Sequence, residues 1–144
     1  MRQKGYSEAE LVNANLARRS DKNGRTSCYD NFRNRMMIPI IDLRGNVIAF
    51  GGRVLDDAKP KYVNTSDTLV YKKSQAIFAL NFAKSANQGK LILAEGYMDV
   101  IAYHQAGFTN AVACLGTALT REQARLLARY ADEVILSYDA DGAG

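Results

Sequence analysis

Hydrophobic and polar positions change rhythm once along the chain, near residues 87–90. Before that point, amphipathic pieces alternate with polar, turn-rich stretches. After it, short continuous apolar runs alternate with segments of helical period. In the first part, residues 6–19 (YSEAELVNANLARR) predict a helix capped by Ser7, with Glu10 closing a capping box. Residues 20–34 are polar and predict a loop. Residues 35–42 predict a strand, and Pro39, which lacks an N–H, places it at an edge or a bulge. Arg44-Gly45-Asn46 predicts a hairpin turn into a return strand over 47–55. Gly51 and Gly52 mark a bulge or a close approach of the backbone in that strand. Residues 56–73 mix turn residues with β-prone pieces. Residues 74–86 predict a helix with Ile77 and Leu80 inward, ended at Asn87-Gln88-Gly89.

The second part is more regular. Leu91–Ala94, 111–115 and 133–138 predict strands, and the first is a continuous apolar run of the kind that parallel sheets bury on both faces. Residues 97–106 predict a helix ending at Gly107. Thr120 caps a helix over 121–131, with Gln123 completing its capping box. This β-α-β-α-β order with short connections is the sequence form of a doubly wound parallel sheet. The expected fold class is α/β, with one domain over 1–89 and another over 90–144.

Composition narrows the class. With 144 residues, 47% of them hydrophobic and 24% charged, the chain can bury a core without disulfide staples. No run approaches the roughly 18–20 apolar residues of a membrane span, and the N-terminal stretch lacks the apolar segment of a secretory signal. Two cysteines, Cys28 and Cys114, and one histidine, His104, cannot form a four-ligand zinc site. The expectation is a reduced, cytosolic protein. Its net charge of +4 hides an asymmetry. Residues 1–90 hold 16 Lys and Arg against 8 Asp and Glu, a surplus of +8, whereas residues 91–144 hold 3 against 7, a surplus of −4. A basic part joined to an acidic part suits a polyanion partner beside a cation site.

The acids fall where chemistry is expected. Glu95 directly follows the first strand of the parallel unit, and Asp139 and Asp141 follow the third. Ligands of open α/β sheets bind outside the carboxyl ends of the strands. Carboxylates gathered there repel one another, and a hard cation such as Mg²⁺ or Mn²⁺ relieves the repulsion. Such a metal can bridge phosphate oxygens in an in-line displacement. Asp99, one turn into the next helix, is a secondary acidic candidate, although complementing the helix N-terminus explains it slightly better than metal ligation does. The Leu115-Gly116-Thr117 turn offers backbone N–H groups to an anion or serves as a plain strand–helix turn.

Glu95-Gly96-Tyr97-Met98-Asp99-Val100, Leu115-Gly116-Thr117 and Asp139-Ala140-Asp141-Gly142-Ala143-Gly144 together resemble the TOPRIM domain of bacterial DNA primases. Phe32–Ile40, Phe50–Val54 and Pro60–Asn64 are similar to the basic N-terminal subdomain of the primase catalytic core. The resemblance implies a mixed α+β basic subdomain followed by a partial, Rossmann-like TOPRIM subdomain. It implies a nucleotidyltransferase that makes short RNA primers on single-stranded DNA from ribonucleoside triphosphates, without a covalent nucleophile. Glu95, Asp139 and Asp141 would hold Mg²⁺ or Mn²⁺. Arg53, Lys61, Tyr62 and Lys73, with Arg33 and Arg35, would line the template and nucleotide surface. Family members also carry a further acidic motif, a zinc-binding domain and a region that binds the replicative helicase. The 144 residues are therefore expected to be a fragment that makes no primers alone, from a bacterial cytoplasmic protein working at the nucleoid. Two other classes stay open: a TOPRIM nuclease or topoisomerase fragment, and a non-catalytic module that binds single-stranded nucleic acid.

Other residues have plainer readings. Arg121, Arg125 and Arg129 form one helical stripe, expected to face solvent, with Leu126, Leu127 and Tyr130 toward the sheet. Cys114 is expected in the core. Tyr62 either stacks on a base or sits half-buried in a strand.

Overall fold

The computed structural model describes residues 1–22, 24–86, 89–115 and 118–139. The chain divides into two compact units, 1–39 with 48–72, and 40–47 with 73–144.

The first unit begins with a 3₁₀ turn, Arg2–Lys4, and helix α1, Glu8–Asn13. The expected capping box is present: Ser7 Oγ accepts from the Glu10 N–H at 3.2 Å, and Glu10 Oε2 accepts from the Ser7 N–H at 2.7 Å. The Ser7 hydroxyl, which also donates to Glu10 Oε2 at 2.7 Å, and then the Ser7 N–H hold the Glu10 carboxyl below its ordinary pKa. The helix is shorter than the 6–19 expected. Asn15 adopts a left-handed φ of 57° and turns the chain into strand β1, Ala17–Lys22. β1 pairs antiparallel with β2, Arg25–Asp30, in continuous register from Ala17↔Asp30 to Lys22↔Arg25. The expected loop over 20–34 is thus largely one arm of a hairpin. Its strands are polar on both faces, so no alternation betrays them. The Asn23-Gly24 dipeptide between them is the hairpin signal that a composition-based reading passes over.

Strands β3 (Arg35–Ile41), β4 (Val47–Val54) and β5 (Tyr62–Asn64) form a three-stranded sheet in that order. β3 is an edge strand, which accommodates Pro39 as expected. β5 pairs antiparallel with β4 through Gly51↔Asn64, Gly52↔Val63 and Arg53↔Tyr62, so no bulge occurs there. Gly52 instead marks the close approach. A Cβ on it would lie 2.8 Å from Phe32 Cδ1 and 3.0 Å from Arg35 Cδ. Buried Thr65 prolongs the pairing, its Oγ1 accepting from the Phe50 N–H at 3.0 Å and donating to the Phe50 carbonyl at 3.1 Å.

The second unit includes the tip of the β3–β4 hairpin. There the Asp42 carboxylate accepts from the N–H groups of Arg44 and Asn46, closing the expected turn at Gly45 (φ 92°). The main element is a four-stranded sheet ordered β6-β8-β7-β9. β7 (Lys90–Ala94), β8 (Ala111–Cys114) and β9 (Glu133–Ser137) run parallel, as the apolar runs predict. Helices α3 (Tyr97–Gln105) and α4 (Arg121–Leu127) provide the crossovers. The helix expected over 74–86 is replaced by a two-residue strand, β6 (Ile77–Phe78), and helix α2 (Leu80–Ala86). Ile77 and Phe78 take the free edge of β8, antiparallel to it, and Ala79, at φ 64°, breaks the chain direction before α2. Ile77 is buried as expected, but on a strand. Leu80, Ala83, Leu91, Leu93, Val112 and Leu127 form the core around it, with Leu126 and Tyr130 packed against it. α4 is shorter than the 121–131 expected: Arg121 and Arg125 on it, and Arg129 beyond its end, are all exposed. No helix among the described residues is long and apolar enough to cross a membrane.

Asn15 holds the first unit together beyond its turn. Its Oδ1 accepts from Asn31 Nδ2 at 3.0 Å and from the Ser66 N–H at 2.9 Å. Asn15→Ala forces a methyl-bearing residue to a positive φ and removes both bonds, a combined loss of about 2 kcal/mol. Asn15→Gly recovers the backbone part, about 1 kcal/mol. Urea unfolding should rank the unaltered protein above Asn15→Gly, and Asn15→Gly above Asn15→Ala.

Candidate metal edge and basic surface

The parallel register decides where the acids go. Ala94 of β7 lies opposite Ser137 of β9, so Glu95 and Asp139 leave adjacent strands at the same edge. The Asp139 N–H points at Glu95 Oε2, 3.4 Å away. Glu95, Asp99 and Asp139 line one open cleft of about 360 Å³, with Tyr103, Ser137 and Tyr138 on its walls. All three carboxylates are exposed, so a cation can reach them directly from water. Asp99 also serves its helix, its Oδ2 accepting from the Gly96 N–H at 3.0 Å. Tyr103 and Ser137 share a 2.7 Å hydroxyl hydrogen bond that ties α3 to β9 beside the cleft. The Tyr138 phenol is raised above its ordinary pKa, first by burial and then by Cys114 and the Glu95 charge.

This donor set is all oxygen and anionic, which fits a hard divalent cation such as Mg²⁺ or Mn²⁺. Among the described residues no group of three His, Cys, Asp or Glu is placed to hold a metal. Asp141, and the Gly116-Thr117 turn, lie outside those residues. The softer ligands are committed elsewhere. His104 Nε2 pairs with the Ala111 carbonyl at 2.9 Å. Cys114 is in the core, where burial pushes its thiol up to about 11.

In the first unit, Arg33 and Arg35 line a second cleft, of about 540 Å³, together with Arg18, Tyr29 and Lys59. The Arg33 guanidinium lies over the Tyr29 ring, 5.2 Å from its centroid. Arg35 has a structural task as well, its Nη1 donating to the carbonyls of Gly52 and Lys61 at 3.3 Å each. That bond fixes the backbone of exposed Lys61 relative to β4. Arg53 and half-buried Tyr62 are cross-strand neighbours and share one face of the sheet. Arg53 Nε is buried with no hydrogen-bond partner among the described residues. Lys73 belongs to the second unit, where its carbonyl accepts from Gln123 Nε2 at 3.2 Å. Arg18, Tyr29 and Lys59 were not singled out from the sequence. The first two belong to the hairpin that sequence pattern hides, and only the fold brings them beside Arg33.

A parallel α/β unit with acids at the carboxyl ends of its strands has the form of a TOPRIM domain, and comparison with known proteins specifies the family. Residues 1–84 match the family described as DNA primase catalytic core, N-terminal domain, and residues 92–144 match a Toprim-like family. The chain belongs to the DNA primase catalytic-core family. It is 53% identical over 145 residues to the DNA primase of Clostridium acetobutylicum, covering 100% of this chain and 24% of that protein. It is also similar to a crystallised DNA primase domain from Pseudomonas aeruginosa, at 43% identity and a TM-score of 0.86 over 94% of this chain and 42% of that one. A primase catalytic domain bound to single-stranded DNA matches at 41% identity and a TM-score of 0.88, over 99% of this chain and 45% of that one. The chain thus spans about a quarter of the length of the curated relatives it matches.

Gly52 gives this surface a stringent test. Gly52→Ala pushes a methyl into Phe32 and the Arg35 stem, and the strain should cost about 1–3 kcal/mol. Urea unfolding measures it, and an unchanged midpoint would show that Phe32 and Arg35 move aside freely.

Proposed function

We propose that this chain carries the template- and metal-handling residues of an enzyme that makes short RNA primers on single-stranded DNA from ribonucleoside triphosphates. The observation that carries this reading is the meeting of Glu95 and Asp139 on one sheet edge, in a chain whose other unit has a cleft lined by Arg18, Arg33 and Arg35. The matches over 1–84 and 92–144 support domain limits of 1–89 and 90–144. In this reading Glu95 and Asp139, with Asp141, hold Mg²⁺ or Mn²⁺. When bound, such a metal activates the primer 3′-hydroxyl and stabilises the leaving pyrophosphate. Asp99 orients the start of α3 and adds negative charge to the cleft.

Arg33, Lys61 and Arg53 meet phosphates of the template, Tyr62 offers a ring to a base, and Arg35 sets the Lys61 backbone. Lys73 meets the phosphates of an incoming nucleotide. The partners are the template strand, ribonucleoside triphosphates and, through a region other than these residues, the replicative helicase, in the bacterial cytoplasm. A nuclease or topoisomerase reading shares the acids, but the family match over 1–84 favours the primase.

Anisotropy titrations of a fluorescent single-stranded oligonucleotide test the template surface. Binding should weaken steeply with salt, and Arg33→Ala or Lys61→Ala should weaken it about 3–10-fold. Glu95→Gln and Asp139→Asn should leave metal-free binding intact. Affinity indifferent to salt and to both basic substitutions would overturn the reading.

A further inference from the structure

Gln123 is fully buried, at 0% exposure, and with Thr65 is one of two buried polar residues among those described. It occupies the third position of α4. Its Oε1 accepts from the Thr120 N–H at 3.0 Å, and Thr120 Oγ1 accepts from the Gln123 N–H at 3.1 Å, completing the capping box. Capping needs only that oxygen. A glutamate would provide it equally well and would suit the positive end of the helix better. What a carboxylate lacks is the amide's two donors, and both are used. Nε2 donates to the carbonyls of Lys73 at 3.2 Å and Ala76 at 2.9 Å. Thr120 Oγ1 adds a third bond, donating to the Ser74 carbonyl at 2.6 Å. The capping box therefore has a second face that grips residues 73–76.

The sheet topology says where that grip lies. β6 runs antiparallel to β8, with Ile77 beside Cys114, the last residue of β8. Residues 73–76 therefore enter from the edge at which the parallel strands end, the edge that carries Glu95 and Asp139. α4 follows β8 from the same edge. We infer that Gln123, assisted by Thr120, is a positioning residue: it fixes the Lys73 backbone at the metal edge, so that the Lys73 ammonium meets the phosphates of a bound nucleoside triphosphate at a reduced ordering cost. This rests on the reading of Lys73 given above and extends it to residues that never touch the ligand.

A double-mutant cycle on ATP binding, measured with chelator present so that no metal contributes, tests the inference. Lys73→Ala should weaken ATP binding about tenfold, the loss of one charge-assisted contact. Gln123→Met, which keeps the buried volume and removes all three side-chain bonds, should weaken it by a similar factor. Gln123→Glu, which keeps the cap and loses the donors, should do the same. In the Lys73→Ala background either change should have no further effect. Should both Gln123 variants fail to fold, judged by amide spectra, Thr120→Val removes the bond to Ser74 and completes the same cycle. Equal losses in both backgrounds would mark a general structural role and overturn the inference. So would Gln123 variants that bind ATP normally, Lys73→Ala that binds normally, or a wild-type chain that binds no ATP. If any of these occurs while Arg33→Ala and Lys61→Ala still weaken oligonucleotide binding, the positioning inference alone fails. If oligonucleotide binding is also indifferent to them, the functional reading fails with it.

Discussion

The parallel register of β7, β8 and β9 is the constraint on which the candidate chemistry depends. Parallel strands must end on the same edge, and short connections leave that edge uncovered. With Ala94 held opposite Ser137, Glu95 and Asp139 have no choice but to emerge together, although 44 residues separate them in the chain. An antiparallel β9 would send Asp139 to the far end of the sheet. The apolar residues that keep the register, Leu91, Leu93 and Val112 among them, therefore support the acids as surely as any hydrogen bond. Conversely, mutual repulsion of the acids costs little while they remain exposed, so the fold tolerates the cluster without a bound cation.

The two units solve different electrostatic problems. The basic cleft of the first unit spreads positive charge over Arg18, Arg33 and Arg35, and uses part of it internally, as Arg35 does in holding Gly52 and Lys61. A mutation of Arg35 is therefore not a clean test of ligand binding, whereas exposed Arg33 and Lys61 are. The second unit concentrates negative charge at one edge and brings a lysine-bearing segment to it through the buried amide of Gln123. Its polar interior is small, and each side-chain hydrogen-bonding group of Gln123 has a partner, as the low dielectric of a core demands.

Local signals in the sequence were enough for much of this. Both capping boxes depend on residues three apart, and both are present. The apolar runs of β7 and β8 report burial on two faces, and the spacing between them reports the crossovers. Glu95 and Asp139 followed directly from strand ends. What failed was whatever lacks a local signature. β1 and β2 alternate nothing, because Arg18, Arg19, Ser20 and Asp21 follow one another in a strand whose neighbour is equally polar. β6 is two residues long and owes its form to the free edge of β8, which no window around Ile77 reveals. The grip of Gln123 on Lys73 spans 50 residues, and the sequence showed only the half of it that caps α4. Separation along the chain likewise hid the placement of Arg18 beside Arg33.

The central claim is that Glu95 and Asp139 form one cation site. Paramagnetic broadening by Mn²⁺, followed residue by residue in amide spectra of the chain, tests it most directly. The account predicts that substoichiometric Mn²⁺ erases the signals of Glu95, Gly96, Tyr138 and Asp139 first, and that Glu95→Gln raises the Mn²⁺ concentration required by about tenfold or more. Broadening spread evenly over exposed acids such as Asp56, Asp57 and Glu122, or unchanged by Glu95→Gln, would contradict it.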